Sequence, residues 1–341
     1  MMKDLLLDKD VAEMDEFVRV SGEPRYRAHQ LLEWLYKKYA ASFDELTNMP
    51  ASWRAALQES ASLSPLTSCS VQLSTDGTRK YLFELHDQAY IESVCIPMKD
   101  HFTLCISTQV GCALNCTFCL TGKQGFARNL SSGEILGQIL AIQRELSPEK
   151  RISNIVLMGM GEPLLNYTQT VKAIRMMLAE EGLHLSNRKI TVSTAGIVPG
   201  ILKLGQEDFR INLAISLNAP TDDLRSQLMP INKTYPLHQL LQACRAYPLP
   251  DRRRITFEYV LLENMNDAPE HAAALANILR GIPTKINLIP LNATAGTPYT
   301  PAPAEKILTF QNILLQYGYA TFIRASKGAD ISAACGQLSG K

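Results

Sequence analysis

The chain has 341 residues, room for about two domains, and its 46% hydrophobic and 20% charged residues, with 19 glycines and 18 prolines, exclude a disordered, collagen-like or low-complexity polypeptide. Lysine and arginine (34) almost balance aspartate and glutamate (33), leaving a formal charge of +1. Bulk charge therefore announces no nucleic-acid binder, and any RNA contact has to come from a local patch.

The first ~65 residues carry helical periodicity. Tyr26, Gln30, Trp34 and Tyr36 to Tyr39 fall in a stretch rich in Leu, Glu and Lys, and Trp53 to Leu57 predicts a second short helix. Arg25, Arg27, Lys37, Lys38 and Arg54 lie around them as a modestly basic surface. From Cys69 to Ile96 the pattern changes to alternation. Asp76-Gly77 is a hairpin turn signal between Val71-Gln72-Leu73 and Tyr81-Leu82-Phe83, and Tyr90 to Ile96 makes a third strand. Beyond it strands alternate with helices. The strands are expected at Phe102–Ser107, Ile155–Met158, Lys189–Thr194, Asn212–Leu217, Thr256–Leu261 and Lys285–Leu291. The helices between them include Ser132–Glu145, Tyr167–Glu180, Leu237–Ala246 and Pro269–Arg280. Such alternation implies a parallel sheet closed into a full or partial β/α barrel, with functional residues where strands end and loops begin. The expected division is residues 1–97, a helical module plus an antiparallel meander that could contact RNA, and residues 98–341, the catalytic core with a C-terminal segment.

No apolar run approaches the ~18 residues of a membrane span, and Asp8 and Asp10 come too soon for a secretory signal. A cytoplasmic protein is expected. Its eight cysteines then read as ligands, catalysts or buried apolar groups rather than disulfides. Three crowd into Gly111-Cys112-Ala113-Leu114-Asn115-Cys116-Thr117-Phe118-Cys119, just after a strand. The spacing C-x3-C-x2-C brings three thiolates within reach of one centre, as soft metals and iron–sulfur clusters require. The other reading is three buried cysteines on one helix face, since i, i+4 and i+7 align. No fourth Cys or His lies nearby except His101 and Cys105, so three ligands leave one iron open. Cys69, Cys95 and Cys244 read as buried apolar groups, and Arg252-Arg253-Arg254 either contacts an RNA phosphate or is a solvated approach to a strand.

The cysteine spacing, with Phe118 before the last Cys, resembles the signature of the radical S-adenosylmethionine (SAM) superfamily, in which a [4Fe–4S] cluster leaves one iron to SAM. The resemblance narrows with Gln109 to Cys116, Met158-Gly159-Met160-Gly161-Glu162-Pro163-Leu164, Met229-Pro230-Ile231-Asn232, Lys285 to Pro290 and Ala333-Ala334-Cys335-Gly336-Gln337-Leu338. Together these look like the adenine-C2 RNA methyltransferases of the RlmN type. The match runs along nearly the whole chain. It implies a partial (β/α)6 barrel and a monomeric enzyme that methylates C2 of an adenosine in 23S rRNA, often in tRNA as well, with electrons from a flavodoxin or ferredoxin system.

Adenine C2 carries an unreactive C–H bond and is no nucleophile, so direct methyl transfer from SAM fails. The family is thought to use SAM twice: one SAM methylates a cysteine, and a second supplies a radical that activates the S-methyl group to add to C2. Carried onto this sequence, Cys335 matches the methyl-carrying cysteine, with glycines around it that favour mobility. Cys105 matches the cysteine that resolves the protein–RNA bond through a transient disulfide, although its place beside Leu104 and Ile106 also suits a core thiol. Glu92 matches the general base that must take the C2 proton. Cys112, Cys116 and Cys119 match the cluster ligands. Gly161, Glu162, Ser193, Ser216, Leu217, Asn218 and Asn292 match the SAM-binding positions, all at or just past strand ends; ordinary loop capping is the alternative for each. The family usually has His where this chain has Asn218, and an amide can bond to SAM but cannot titrate. Two rival functions are the related adenine-C8 methyltransferases of the Cfr type, against which Pro163 speaks, and a zinc-stabilised RNA-binding module without catalysis.

Overall fold

The computed structural model describes residues 3–146, 150–292, 294 and 297–340. The opening segment pairs β1 (Asp4–Leu5) with β2 (Ala61–Ser62) around helices α1 (Val11–Val20), α2 (Tyr26–Tyr36) and α3 (Ala51–Ser60). Asp10 starts α1 through reciprocal bonds, its Oδ1 accepting from Glu13 N while the Glu13 carboxylate accepts from Asp10 N, each at 2.9 Å. Ala28, Leu31, Leu32, Leu35 and Tyr36 form the buried stripe of α2 at helical spacing. The basic residues of this module are largely spoken for. Arg25 pairs with Asp15, Arg27 with Glu23, Lys38 with Glu33, and Arg54 Nη1 donates to Asp44 O.

The expected hairpin and third strand form β3 (Leu66–Leu73), β4 (Arg79–Leu85) and β5 (Tyr90–Pro97), antiparallel throughout. Then follow β6 (Phe102–Cys105), the short hairpin β7 (Gln109–Gly111) and β8 (Phe126–Asn129) around α4 (Leu120–Lys123), and α5 (Ser132–Glu145). The alternation continues through β9 (Ile152–Leu157), α6 (Tyr167–Leu178), β10 (Ile190–Thr194), α7 (Val198–Leu204), β11 (Asn212–Ser216), α8 (Asp222–Leu228) and α9 (Leu237–Ala246). It ends with β12 (Ile255–Leu261), α10 (Pro269–Ile278), β13 (Thr284–Pro290), α11 (Ala304–Gln316) and β14 (Ala320–Ile323).

One ten-stranded sheet runs in the order β14-β13-β12-β11-β10-β9-β6-β5-β4-β3. All six expected core strands are present and pair in parallel, giving the partial barrel; β14 extends its edge as one more parallel strand that the alternation did not single out. Pro97 pairs with Phe102, so the meander continues into the barrel through β5 and β6. Along β12, Ile255, Phe257, Tyr259 and Leu261 are buried against the helices, with Tyr259 and Phe310 rings 5.2 Å apart. The alternate residues Thr256, Glu258 and Val260 turn to the inside of the barrel.

A buried amide ties meander to barrel. Gln138 on α5 accepts from Ser93 Oγ at 2.7 Å and from Ser107 N at 2.8 Å, and donates to Ser107 O at 2.9 Å. Ser107 Oγ in turn donates to Glu92 O at 2.6 Å. One expectation about the cysteines diverges from the structure. Cys95 and Cys244 are buried, but Cys69 is exposed, because it lies on a strand whose residues from Thr67 to Leu73 are all solvated.

Candidate active site

The site assembles where the parallel strands end. Gly111 carries φ +73, and a Cβ there would lie 1.9 Å from Gly125 O, so only glycine lets β7 close on its partner immediately before Cys112. Cys112 N donates to Gly125 O at 2.8 Å, Cys119 N to Cys116 O at 3.1 Å, and Thr117 N to Leu228 O at 3.0 Å. The cysteines thus lie on an irregular loop pinned to the end of α8, and only α4, after Cys119, is helical; they do not form one helix face. All three thiols are free and partly exposed. Burial, then the neighbouring thiols, holds the thiol of Cys116 well above its ordinary range, while Cys112 is raised to about 11 chiefly by burial.

This donor set fits an iron–sulfur cluster. Among the described residues no three His, Cys, Asp or Glu side chains gather round a point suited to a single metal ion. Structural zinc needs such convergence of four ligands on one atom. A cluster instead takes each thiolate on a different iron, and the three cysteines of one pinned loop supply that donor set with one iron left over.

The Gly-rich turn after β9 faces this loop. A Cβ on Gly161 (φ +97) would sit 2.5 Å from Gln109 Cβ, so glycine permits the close approach of the turn to β7. Glu162 is 3% exposed. Its N donates to Gln109 Oε1, its Oε1 accepts from Leu164 N at 3.0 Å and its Oε2 from Ala195 N at 2.8 Å. Burial raises this carboxyl to about 7, the backbone donors opposing. Ser193 lies on β10 and is buried; Ser216 ends β11 with Leu217 beyond it.

Asn218 is buried with φ +60, a conformation in which Asn and His are among the tolerated residues. Its Oδ1 accepts from Val260 N at 2.8 Å, its Nδ2 points at Met229 Sδ at 3.2 Å, and its carbonyl accepts from Asn266 Nδ2 at 2.8 Å. The amide's polar atoms are engaged in holding β11 against β12.

The C-terminal segment closes over the same mouth. Asn292 Nδ2 donates to Cys335 O at 3.1 Å, and Ser326 Oγ donates to Asn292 Oδ1. Leu120 N donates to Gly336 O at 2.8 Å, and Thr121 Oγ1 to Leu338 O at 2.7 Å. Upstream, Gly328 N donates to Asp76 Oδ2 at 3.1 Å, while Asp330 accepts from Ser74 Oγ at 2.6 Å and Thr75 N at 3.0 Å. In this structure the segment around Cys335 is bonded on both sides: Gly328 and Gly336 take positive φ, and the bonds go to the hairpin turn and to α4.

Cys335 itself reaches solvent. Burial by the surrounding mouth, then the Glu258 carboxylate, pushes its thiol up to about 11, with Arg324 opposing and Cys119 adding. Cys105, at the end of β6, is buried, and burial followed by Cys335 raises its thiol far above the ordinary range. Cys335 is therefore within electrostatic reach of both Cys105 and the cysteine loop.

Glu92 is brought to the same segment. The carboxylate is 1% exposed, pairs with Lys80 Nζ at 3.1 Å, and accepts from Ser339 N at 2.6 Å and Gly340 N at 3.1 Å. Arg252 to Arg254 lie at the opposite end of the barrel, before β12, where Arg253 Nη1 donates to Arg210 O. Sequence reasoning missed Lys80, Gln109, Glu258, Arg324 and Arg225. Only the motif Met229 to Asn232 hinted at Arg225, because Asn232 accepts from its Nη1.

Against this geometry, residues 106–276 match the radical SAM superfamily, and residues 5–63 match the ribosomal RNA large subunit methyltransferase N-terminal domain. A crystal structure of a radical SAM methyltransferase from Sphaerobacter thermophilus superposes with a TM-score of 0.95 at 44% identity, covering 99% of this chain and 100% of that one. Fold and cysteine loop together define the class, a radical SAM methyltransferase with a [4Fe–4S] cluster and SAM as its cofactors. The dual-specificity RNA methyltransferases RlmN of Syntrophus aciditrophicus and Geobacter sulfurreducens are 52% and 49% identical to it. They cover 98% and 97% of this chain, which spans 96% and 91% of theirs. The chain belongs to the RlmN family.

Proposed function

We propose that this protein methylates C2 of an adenosine in 23S rRNA and in tRNA through a methylated Cys335, with two SAM consumed per turnover. The observation that carries this reading is the convergence of Cys335, Cys105 and Cys119 at one barrel mouth, with Glu92 bonded to the segment that bears Cys335. When bound, the cluster and SAM supply the methyl group and the one-electron chemistry that an unreactive C–H bond demands.

The chain's own residues do the rest. Cys112, Cys116 and Cys119 hold the cluster. Gly161, Glu162, Ser193, Ser216, Leu217 and Asn292 line the SAM site, and Asn218 shapes it from below through Val260 N and Met229. Cys335 carries the methyl group, held toward the mouth by Asn292. Cys105 as thiolate then attacks the Cys335 sulfur once that sulfur bears the RNA adduct. The S–S bond forms as the C–S bond breaks, the electron pair stays on the transferred carbon, which takes a proton to become methyl, and outside thiols reduce the disulfide left behind. Glu92 takes the C2 proton, which requires Ser339 and Gly340 to lift from its carboxylate. Residues 1–97 present the RNA and residues 98–341 perform the chemistry, in a cytoplasmic monomer reduced by a flavodoxin or ferredoxin. Pro163 and the RlmN relatives favour C2 over C8.

Peptide mass spectrometry of the Cys335 fragment, from protein purified without oxygen with its cluster, tests the reading. A methyl group on Cys335 is expected; an unmodified thiol in cluster-loaded protein supplied with SAM would refute it. Chromatography of digested RNA then separates 2-methyladenosine from 8-methyladenosine.

A further inference from the structure

Arg225 is among the largest fully buried side chains of the protein, at 0% exposure on α8. None of its hydrogen bonds goes to a carboxylate. Nε donates to Leu217 O at 3.0 Å, Nη1 to Asn232 Oδ1 at 3.0 Å, and Nη2 to Ala195 O at 2.6 Å and Ser216 O at 3.3 Å. Four neutral acceptors satisfy the donors but do not cancel the charge. Burying a cation in this way costs several kcal/mol, so an anion must repay it.

One carboxylate, Asp222 at the head of the same helix, is in electrostatic reach but makes no bond to the guanidinium. Its Oδ1 accepts from Asn232 Nδ2 at 2.9 Å and Leu237 N at 2.8 Å, and a second source of negative charge lies at the other end of the helix. The helix that carries Arg225 ends at Leu228, whose carbonyl accepts from both Thr117 N (3.0 Å) and Thr117 Oγ1 (3.3 Å), between Cys116 and Cys119. Arg225 lies one helical turn before Leu228, and Met229 N donates to its carbonyl at 2.7 Å, so the buried cation belongs to the turn that pins the cysteine loop. Three thiolates on a doubly positive cluster leave the centre with a net negative charge, and reduction adds one more. The acceptors of Arg225 also frame the SAM positions: Ser216 and Leu217 themselves, and Ala195, whose N–H bonds to Glu162.

We propose that Arg225 is the counter-charge of the cluster, a positioning residue whose fixed positive charge stabilises the reduced centre and raises the potential at which it accepts an electron. This rests on Cys112, Cys116 and Cys119 as the cluster ligands. Low-dielectric surroundings make the effect large, since a buried cation is poorly screened.

The test is a redox titration of reconstituted protein followed by electron paramagnetic resonance, with iron counted per chain. Arg225→Met is expected to load iron as the wild type does. At a fixed reductant potential, however, its ratio of reduced to oxidised cluster falls at least tenfold, about 59 mV for a one-electron couple. Arg225→Lys keeps the charge and the wild-type ratio. A loaded Arg225→Met with an unchanged ratio overturns the proposal, and so does an Arg225→Lys shift as large as that of Met, which would assign the residue to packing. Should Arg225→Met not fold, Asn232→Asp sets a carboxylate beside the guanidinium and must lower the ratio; no change there overturns the proposal as well. Cys116→Ala controls the underlying assignment: loss of iron in that variant is expected, and normal iron content would remove the ligand reading and overturn the proposal with it, whatever the Arg225 variants show.

Discussion

At the scale of single residues, the proposed chemistry turns on two thiols, and the pH response on one carboxyl. Cys335 is within electrostatic reach of Cys105 and Cys119, and in the proposed reading its loss removes the methyl carrier while leaving the cysteine loop in place. Cys335→Ala is expected to abolish RNA methylation while SAM cleavage continues at a low uncoupled rate, read by chromatography of the cleaved nucleoside. Cys105→Ala is expected to accumulate a covalent protein–RNA adduct on denaturing gels, and free methylated RNA at the normal rate would exclude Cys105 from the chemistry. Glu162 supplies a pH signature. Its carboxyl is raised from 4.5 to about 7, so the folded chain holds a proton there that the unfolded chain releases. Stability therefore falls as pH rises through that window, by ~3 kcal/mol in all. Glu162→Gln removes this slope, which urea unfolding of the cluster-free protein near pH 5 and near pH 7.5 measures.

At the scale of elements, the cysteine loop and the C-terminal segment are held by backbone bonds that side chains would break. Alanine at Gly111 would drive its Cβ into Gly125 O and strain a positive φ. Gly111→Ala is expected to displace the β7–β8 hairpin and lower iron bound per chain severalfold, with the chain still folded by circular dichroism. The tail is clasped by Glu92, α4 and the β3–β4 turn. Glu92→Gln replaces a charged acceptor of two tail amides and leaves the Lys80 cation buried without its partner. The loss of a buried pair costs ~3 kcal/mol and loss of a general base ~100-fold or more in rate. The variant is thus expected to combine a lower unfolding midpoint with faster amide exchange at Ser339 and Gly340. A fall in rate alone would leave Glu92 no part in holding the tail.

For the whole molecule, the continuous sheet matters most. Because β5 pairs with β6, and Gln138 bridges Ser93 to Ser107, the strand carrying Glu92 is built into the wall that also carries Cys105. Charge is nearly balanced overall, and the basic residues of the front helices are mostly ion-paired. RNA should therefore be gripped through few phosphates. Affinity is expected to fall only about tenfold between ~50 and ~200 mM salt, where a strongly basic protein loses 10³ or more. A filter-binding series gives the slope directly.

The sequence by itself determined the parts of this protein that depend on local pattern. Period-two alternation located β3 to β5, and β-rich runs alternating with helical stretches located all six expected core strands together with α5, α6, α9 and α10. The cysteine spacing declared cluster chemistry because the donors are close in the chain. Short or edge elements such as β14 and α8 carried too few residues for a period to show. Tertiary structure alone decided what meets across long separations. Cys105 and Cys335 lie 230 positions apart, and nothing local says that one faces the other. Asn218 looked like a departure at a ligand position, and only its bonds to Val260 and Met229 show that the amide holds two strands together. The exposure of Cys69 follows from the solvated strand that carries it, and the docking of the tail from partners on the hairpin and α4, none of them visible in the residues nearby. Arg225 is the clearest case: in the sequence it is one more charge on a polar helix, and only folding buries its guanidinium among neutral acceptors on the helix whose end pins the cysteine loop.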